Sequence, residues 1–325
     1  MANADITVVS GNYDRIQGIK TGEIPIDGYN LRYLNLTPPE TFQRLFADQE
    51  FDIAEMSFST YLLARSRFNW PYTAVPVFLS RVFPHCSIYI RTDRGIERPE
   101  DLKGRLVGTP NFHFTRGLCV RGMLEDEYGV SPRDIRWRSG GIDTPGGLTY
   151  MKIEAPDGID ITPIGPDEAL GPMLAQGAID AIITYRDPQV FTDKAPNVGR
   201  LFPDFKVAEQ AYFAKTGIFP IMHMVGIRNS LIERDPSLPL NVVKAFELSK
   251  ALAMPHLTDL DALAVTLPWL VAEAESTIAL MGEDFWPYGI EKNFKTIEAQ
   301  TRWSFEQGIS DRRFEMAEIF ASSTL

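Results

Sequence analysis

The chain is poor in cysteine, in histidine and in net positive charge, and each shortage removes a class of function. Of 325 residues only two are cysteines, Cys86 and Cys119, too far apart for a CxxC pair or a zinc spacing. A redox motif and a structural zinc site are therefore excluded as sequence readings, and buried free thiols are expected. Lys and Arg number 32 against 43 Asp and Glu, a net charge of −11, which disfavours nucleic acid or an anionic membrane as partner of the whole molecule. No run approaches the ~18 apolar residues a membrane-spanning helix needs. Motifs are missing too: there is no GxGxxG after the first strand-like run, no GxxxxGK[ST], no GxSxG and no HExxH. Dinucleotide, P-loop, α/β-hydrolase and zincin readings lose their support.

What is present is an ordinary globular composition, 44% hydrophobic and 23% charged, long enough for about two folded units. The first half alternates short strands and helices: strands at 6–10, 29–36 and 51–54, a helix at 38–49, and a further helix entered from Ser57 or Ser59. Thr37-Pro38-Pro39-Glu40 reads as a capped helix start. The pattern restarts with strands at 88–91, 105–108 and 135–138, a short helix at 99–103 and a helix at 114–128, which predicts a second sheet. The Gly- and Pro-rich stretch 139–166 reads as loop with one hairpin. A helix at 167–176 and a buried strand at 178–184 follow, and residues 236–307 are largely helical, with Pro236 and Pro255 as starts and Pro268 as a break.

In open α/β sheets ligands gather beyond the carboxyl ends of strands. Four polar clusters sit there: Ser10 to Arg15, Glu55 to Ser57, Gly108 to Asn111, and Thr184 to Asp187. Tyr13, Ser57, Asn111 and Arg186 thereby become candidate binding residues. Residues 81–138 hold 11 Lys or Arg against 8 Asp or Glu, leaving the remainder at −14, so an anion would be drawn to that part of the chain. Arg116 shares a helix face with Cys119, Val120, Met123 and Leu124. It either snorkels past the core or grips a carboxylate at the helix start. The histidines are four, at 85, 113, 223 and 256. His223, in an apolar segment, fits a hydrogen-bonded core residue or a proton carrier; His85, at a chain crossing, is better placed; His113 is plausible; His256 reads as surface. Glu55 ends a buried strand, where desolvation would raise its pKa and suit it to acid–base work.

Several segments carry a resemblance: Gly11 to Arg15, Phe51 to Ser57, Pro76-Val77-Phe78 with Arg81 and His85, Arg200 to Asp204, Thr216 to His223, and Met281 to Gly289. Together they resemble the 4,5-dihydroxyphthalate decarboxylases, a group similar in fold to the type II periplasmic binding proteins of ABC transporters. The resemblance implies an α/β, two-lobed fold with two mixed sheets flanked by helices and a helical C-terminal region. Residues 1–86 and 214–325 would form one lobe, carrying the C-terminal helices, and 87–213 the other, with the ligand cleft between.

The implied substrate sets the chemistry. Each ring carboxylate of 4,5-dihydroxyphthalate is para to a hydroxyl, so deprotonating that hydroxyl pushes electrons onto the carboxylate-bearing carbon. Protonation there gives a dienone that loses CO₂. His85, His223 and Glu55 are the acid–base candidates; Arg81, Arg116 and Arg186 are the carboxylate clamps, with Tyr13, Ser57 and Asn111 lining the site. No cofactor is expected, although Mg²⁺, Mn²⁺ or Zn²⁺ held by His85, His223 and Glu55 would suit the dihydroxy edge as a Lewis acid. The partner expected is a small aromatic carboxylate, with neither nucleic acid nor membrane insertion. The competing reading is a solute-binding protein that captures such a carboxylate unchanged. Met1 to Asp5 lead straight into an apolar strand, as in a cytoplasmic protein; a removed leader would make it periplasmic.

Overall fold

A computed structural model describes residues 4–147, 151 and 154–325. Along the chain run β1 (Ala4–Ser10), β2 (Tyr29–Asn35), α1 (Pro38–Asp48), β3 (Ile53–Ser57), α2 (Phe58–Arg67), β4 (Tyr72–Arg81), β5 (Ile88–Arg91), β6 (Leu106–Thr109) and α3 (Thr115–Tyr128). After them come β7 (Arg136–Ser139), β8 (Ile161–Pro163), α4 (Leu170–Gln176), β9 (Ala181–Ile183), β10 (Val198–Arg200), α5 (Phe205–Thr216) and β11 (Ile221–Arg228). The longer helices after β11 are α6 (Leu238–Ala253), α7 (Leu270–Met281) and α8 (Phe294–Glu306), with short helical turns at Asn229–Arg234 and Met316–Ile319.

Two mixed sheets result. The first has the order β2-β1-β3-β11-β4, the second β10-β5-β9-β6-β7-β8. The chain passes from one to the other after Arg81 and returns before Ile221, so the last strand of the first sheet is supplied by the far end of the sequence. β1, β2 and β3 pair in parallel, while β11 runs antiparallel between β3 and β4.

Local chemistry explains the better-read elements. The Thr37 hydroxyl accepts the Glu40 N–H and Pro38 opens α1, satisfying a donor the first helical turn leaves free. Other elements differ from expectation. In β3 all five residues are buried, so no alternation marks its end and it extends to Ser57, beyond the 51–54 read from sequence. The expected hairpin in 139–166 is absent among the described residues: β8 pairs with β7 in parallel, Trp137 opposite Ile161. The boundary expected at 214 lies inside α5.

The C-terminal helices do not all pack on the first sheet. α6 covers it, with Val242, Ala245 and Phe246 in its core. α8 reaches both cores: Ile297 joins the first, and Trp303 enters that of the second sheet, against α3 at Gly122, where any Cβ would lie 2.2 Å from the indole.

Candidate active site

The register of the first sheet brings an acid and a base together. His223 on β11 pairs with Ser57 on β3, and Val225 with Glu55, so all four side chains leave the same face of the sheet. The β11–β4 pairing shifts on both sides of His223, an irregularity of the kind that re-aims a side chain next to a site. His223 Nδ1 lies 2.6 Å from Glu55 Oε1. The Tyr13 hydroxyl donates to that same oxygen at 2.6 Å, and the Gly11 N–H donates to Oε2 at 2.8 Å.

Glu55 is wholly buried. Burial favours its protonated form, but the bonds from His223, Tyr13 and Gly11 outweigh that and hold its pKa below the ordinary carboxylate value. The desolvated, raised carboxyl expected from sequence is therefore corrected: three donors keep Glu55 ionised. A carboxylate on Nδ1 fixes the tautomer, leaving Nε2 as the ring nitrogen open to a bound molecule. Burial and the neighbouring Glu55 charge push the Tyr13 phenol well above its ordinary value, so Tyr13 stays a protonated donor.

Tyr13 and His223 line a cavity of about 420 Å³ whose opposite wall comes from the second sheet, including Asn111, His113, Thr115, Arg116 and Tyr185. The starts of α2 and α3 meet there: Ser57 Oγ and Thr115 Oγ1 are 2.9 Å apart, Thr60 donates to Ser57 at 3.0 Å, and the Ser59 N–H donates to Thr115 Oγ1 at 3.1 Å. Two helix N-termini converging on hydroxyls form an anion-binding corner. Arg116 completes it. Its Nη1 donates to the Tyr185 carbonyl at 2.8 Å, its Nε is buried without a partner, and no ion pair engages it among the described residues. Burial lowers its pKa from an arginine's usual value, though such a group stays charged at neutral pH.

His113, only plausible from sequence, stands in the cavity wall. Its backbone N–H donates to Asn111 Oδ1 at 3.1 Å, and its buried Nε2 has no partner among the described residues. Burial, helped by the Arg121 guanidinium, pushes it down to about 4. The missed signal was the neighbour: Arg121 is itself fully buried, tied to Phe112 O and Gln307.

Three candidates fall outside this cavity. Arg81 is buried in scaffold, donating to the carbonyls of Phe219 (2.8 Å) and Pro287 (2.9 Å) and to Asn293; burial lowers it to about 9. His85 packs edge-on against Phe202 and Tyr212, and burial lowers it to about 4. Arg186 points outward and pairs with Asp143 at 2.9 Å. Of the three conceivable metal donors, Glu55 and His223 meet and His85 does not join them. Among the described residues no group of three or more His, Cys, Asp or Glu side chains is placed to hold a metal ion.

A curated relative from Comamonas testosteroni named 4,5-dihydroxyphthalate decarboxylase is 38% identical over 325 residues, covering 100% of this chain and 98% of its own. The chain belongs to the 4,5-dihydroxyphthalate decarboxylase family. A Pseudomonas putida protein of the same name is 39% identical over 204 residues, covering 63% of this family member and 79% of itself. No family model matches the chain. Among solved structures, the periplasmic aliphatic sulphonate binding protein SsuA from Escherichia coli aligns over 99% of both chains with a TM-score of 0.53 at 11% identity. A DSZB mutant in complex with biphenyl-2-sulfinic acid aligns over 98% of this chain and 97% of its own, TM-score 0.54 at 13% identity. These likenesses are of fold. This decarboxylase-family chain is built on the type II periplasmic-binding-protein architecture.

Proposed function

We propose that the protein removes one carboxylate of 4,5-dihydroxyphthalate as CO₂, without oxidation, and leaves protocatechuate. The observation that carries this reading is the pairing, across one cavity, of the Tyr13–Glu55–His223 cluster with Arg116, a half-buried guanidinium that no ion pair engages among the described residues. A protein that merely captures an anion needs the second of these features; proton transfer needs the first.

Arg116 and the corner of Ser57 and Thr115 hold the carboxylate that is retained. His223, the register partner of Ser57, then lies near the carboxylate end of the ring. Protonated, with the Glu55 carboxylate on Nδ1, it delivers a proton from Nε2 to the carbon bearing the departing group. Once that carbon is protonated the para hydroxyl becomes strongly acidic, so even a histidine held near 4 is base enough. His113 takes that proton at its Nε2. The C–C bond breaks, its electron pair restores the aromatic ring, CO₂ departs and His113 returns its proton to the phenolate oxygen. Solvent recharges His223, so one proton is consumed per CO₂. The para hydroxyl supplies the electronic route, and no organic cofactor enters it.

The test is incubation with 4,5-dihydroxyphthalate, with CO₂ and protocatechuate measured together and turnover repeated after chelation and elemental analysis. Stoichiometric release of both products supports the reading. Tight binding of unchanged substrate would turn it to a solute-binding protein, and loss of turnover on chelation with recovery on one ion would add a metal to the mechanism.

A further inference from the structure

We propose that Arg15, clasped by Trp286, is a positioning residue that aims the Tyr13 hydroxyl at Glu55. The inference deepens the decarboxylase reading and rests on it. The guanidinium carbon of Arg15 lies 4.3 Å from the centre of the Tyr13 ring and 4.3 Å from the centre of the Trp286 ring. Its Nε and Nη2 both donate to the Leu79 carbonyl, and Nη1 donates to Asp14. The side chain is only 14% exposed. A planar cation between two aromatic rings, fixed in its own plane by hydrogen bonds, leaves those rings little freedom.

Trp286 is fixed in turn. Its Nε1–H donates to the Phe78 carbonyl at 2.9 Å, and its ring packs edge-on against Phe219, which stacks on Phe83. Arg81 binds the carbonyls of Phe219 and Pro287 on either side of this contact. The segments 11–15, 216–223 and 284–289, widely separated in sequence, thus form one brace behind the cavity. On its near side Tyr13 rests against Gly11, where a Cβ would come within 3.1 Å of the phenol ring. Tyr13 has a single productive orientation because Gly11 and Arg15 both constrain it, and neither Arg15 nor Trp286 lines the cavity.

The experiment compares Arg15→Gln, Arg15→Lys, Trp286→Phe and the Arg15→Gln/Trp286→Phe double variant with wild type, using 4,5-dihydroxyphthalate and counting active sites. We expect kcat to fall roughly 10- to 100-fold in Arg15→Gln, as small misplacements of a reacting group do, with KM nearly unchanged. Lysine should restore part of the loss, since it keeps charge but not the planar fork. The double variant should fall little further than the worse single one. In ¹³C-tyrosine-labelled protein, the Tyr13 ring signal, assigned by its loss in Tyr13→Phe, should move in each variant. Unchanged kcat per active site, or a Tyr13 signal that stays in place, overturns the proposal. A wild type that does not turn over refutes the decarboxylase reading instead, and the Tyr13 signal alone then decides whether Arg15 and Trp286 position it. Trp286→Phe keeps the judgement open to experiment if Arg15→Gln folds poorly.

Discussion

Glu55→Gln tests the site most directly, because the side chain keeps its shape and loses only its charge and one acceptor. The native carboxylate accepts from Tyr13 and His223 at Oε1 and from Gly11 at Oε2. Glutamine has one acceptor oxygen. If that oxygen faces Tyr13 and His223, its NH₂ opposes the Gly11 N–H; turned over, the NH₂ opposes the other two donors. Either way a buried donor is stranded, at a cost of about 1–3 kcal/mol, and relief of the buried charge draws the net toward the lower end. The effect on chemistry is larger. Without an anion on Nδ1 the imidazolium of His223 is unsupported and its tautomer is no longer fixed, so kcat should fall roughly 10²–10⁴-fold. Stability should also change its response to acid. Folding lowers the Glu55 pKa, so its contribution is present above the unfolded value of about 4.3 and fades as pH falls toward the folded one; the glutamine variant lacks that component. The assays are steady-state turnover and urea melts from pH 3 to 7. A kcat within about threefold of wild type, against the usual 10²-fold or greater cost of losing acid–base assistance, would refute the relay.

Other outcomes follow from single contacts. Arg116→Ala should raise KM for the dicarboxylate sharply with little loss of melting temperature, and lysine should rescue it only in part, lacking the planar fork; calorimetry with phthalate reads the same loss without turnover. His85→Leu should spare kcat and lessen acid sensitivity, because a histidine whose pKa falls from about 6.5 unfolded to about 4 folded withdraws stability as pH drops through that window; lost turnover in fully folded protein would return His85 to the site. Gly122→Ala should destabilise by about 1–3 kcal/mol, since its Cβ would meet the Trp303 ring at 2.2 Å, while leaving KM unchanged in protein that folds; an unshifted melt would sink the packing account.

Much of this fold was legible because its signals are local. Thr37 and Pro38 announce α1, Gly129 ends α3 in the left-handed conformation, strand-end polarity points to Tyr13, Ser57 and Asn111, and the apolar helix face points to Arg116; the structure brings these four to one cavity with His223, while Arg186, the other strand-end candidate, stays outside it. The errors have non-local causes. Arg81 looks like a clamp until the carbonyls of Phe219 and Pro287, more than a hundred residues away, are seen to engage both of its Nη nitrogens. Glu55 looks like a carboxyl raised by burial until His223, Tyr13 and Gly11 are seen to donate to it. His113 depends on Arg121, whose burial no periodicity reveals, because α3 is buried almost all round through its first ten residues.

The placement of α8 governs the order in which the molecule can be completed. Trp303 fills the groove at Gly122, Gln307 binds Arg121 and the Leu118 carbonyl, and Gln300 takes both the N–H and the carbonyl of Ile221 at 2.8 Å. A ribosome that has released β5 to β10 has made the strands of the second sheet but not the helix that seals it. Until residues near 300 emerge, α3 keeps an open apolar groove and a buried arginine lacks its amide partner. Contacts spanning about 180 residues form late and slowly, so the nascent chain carries an exposed α3 flank for most of its synthesis, the condition under which aggregation competes with folding.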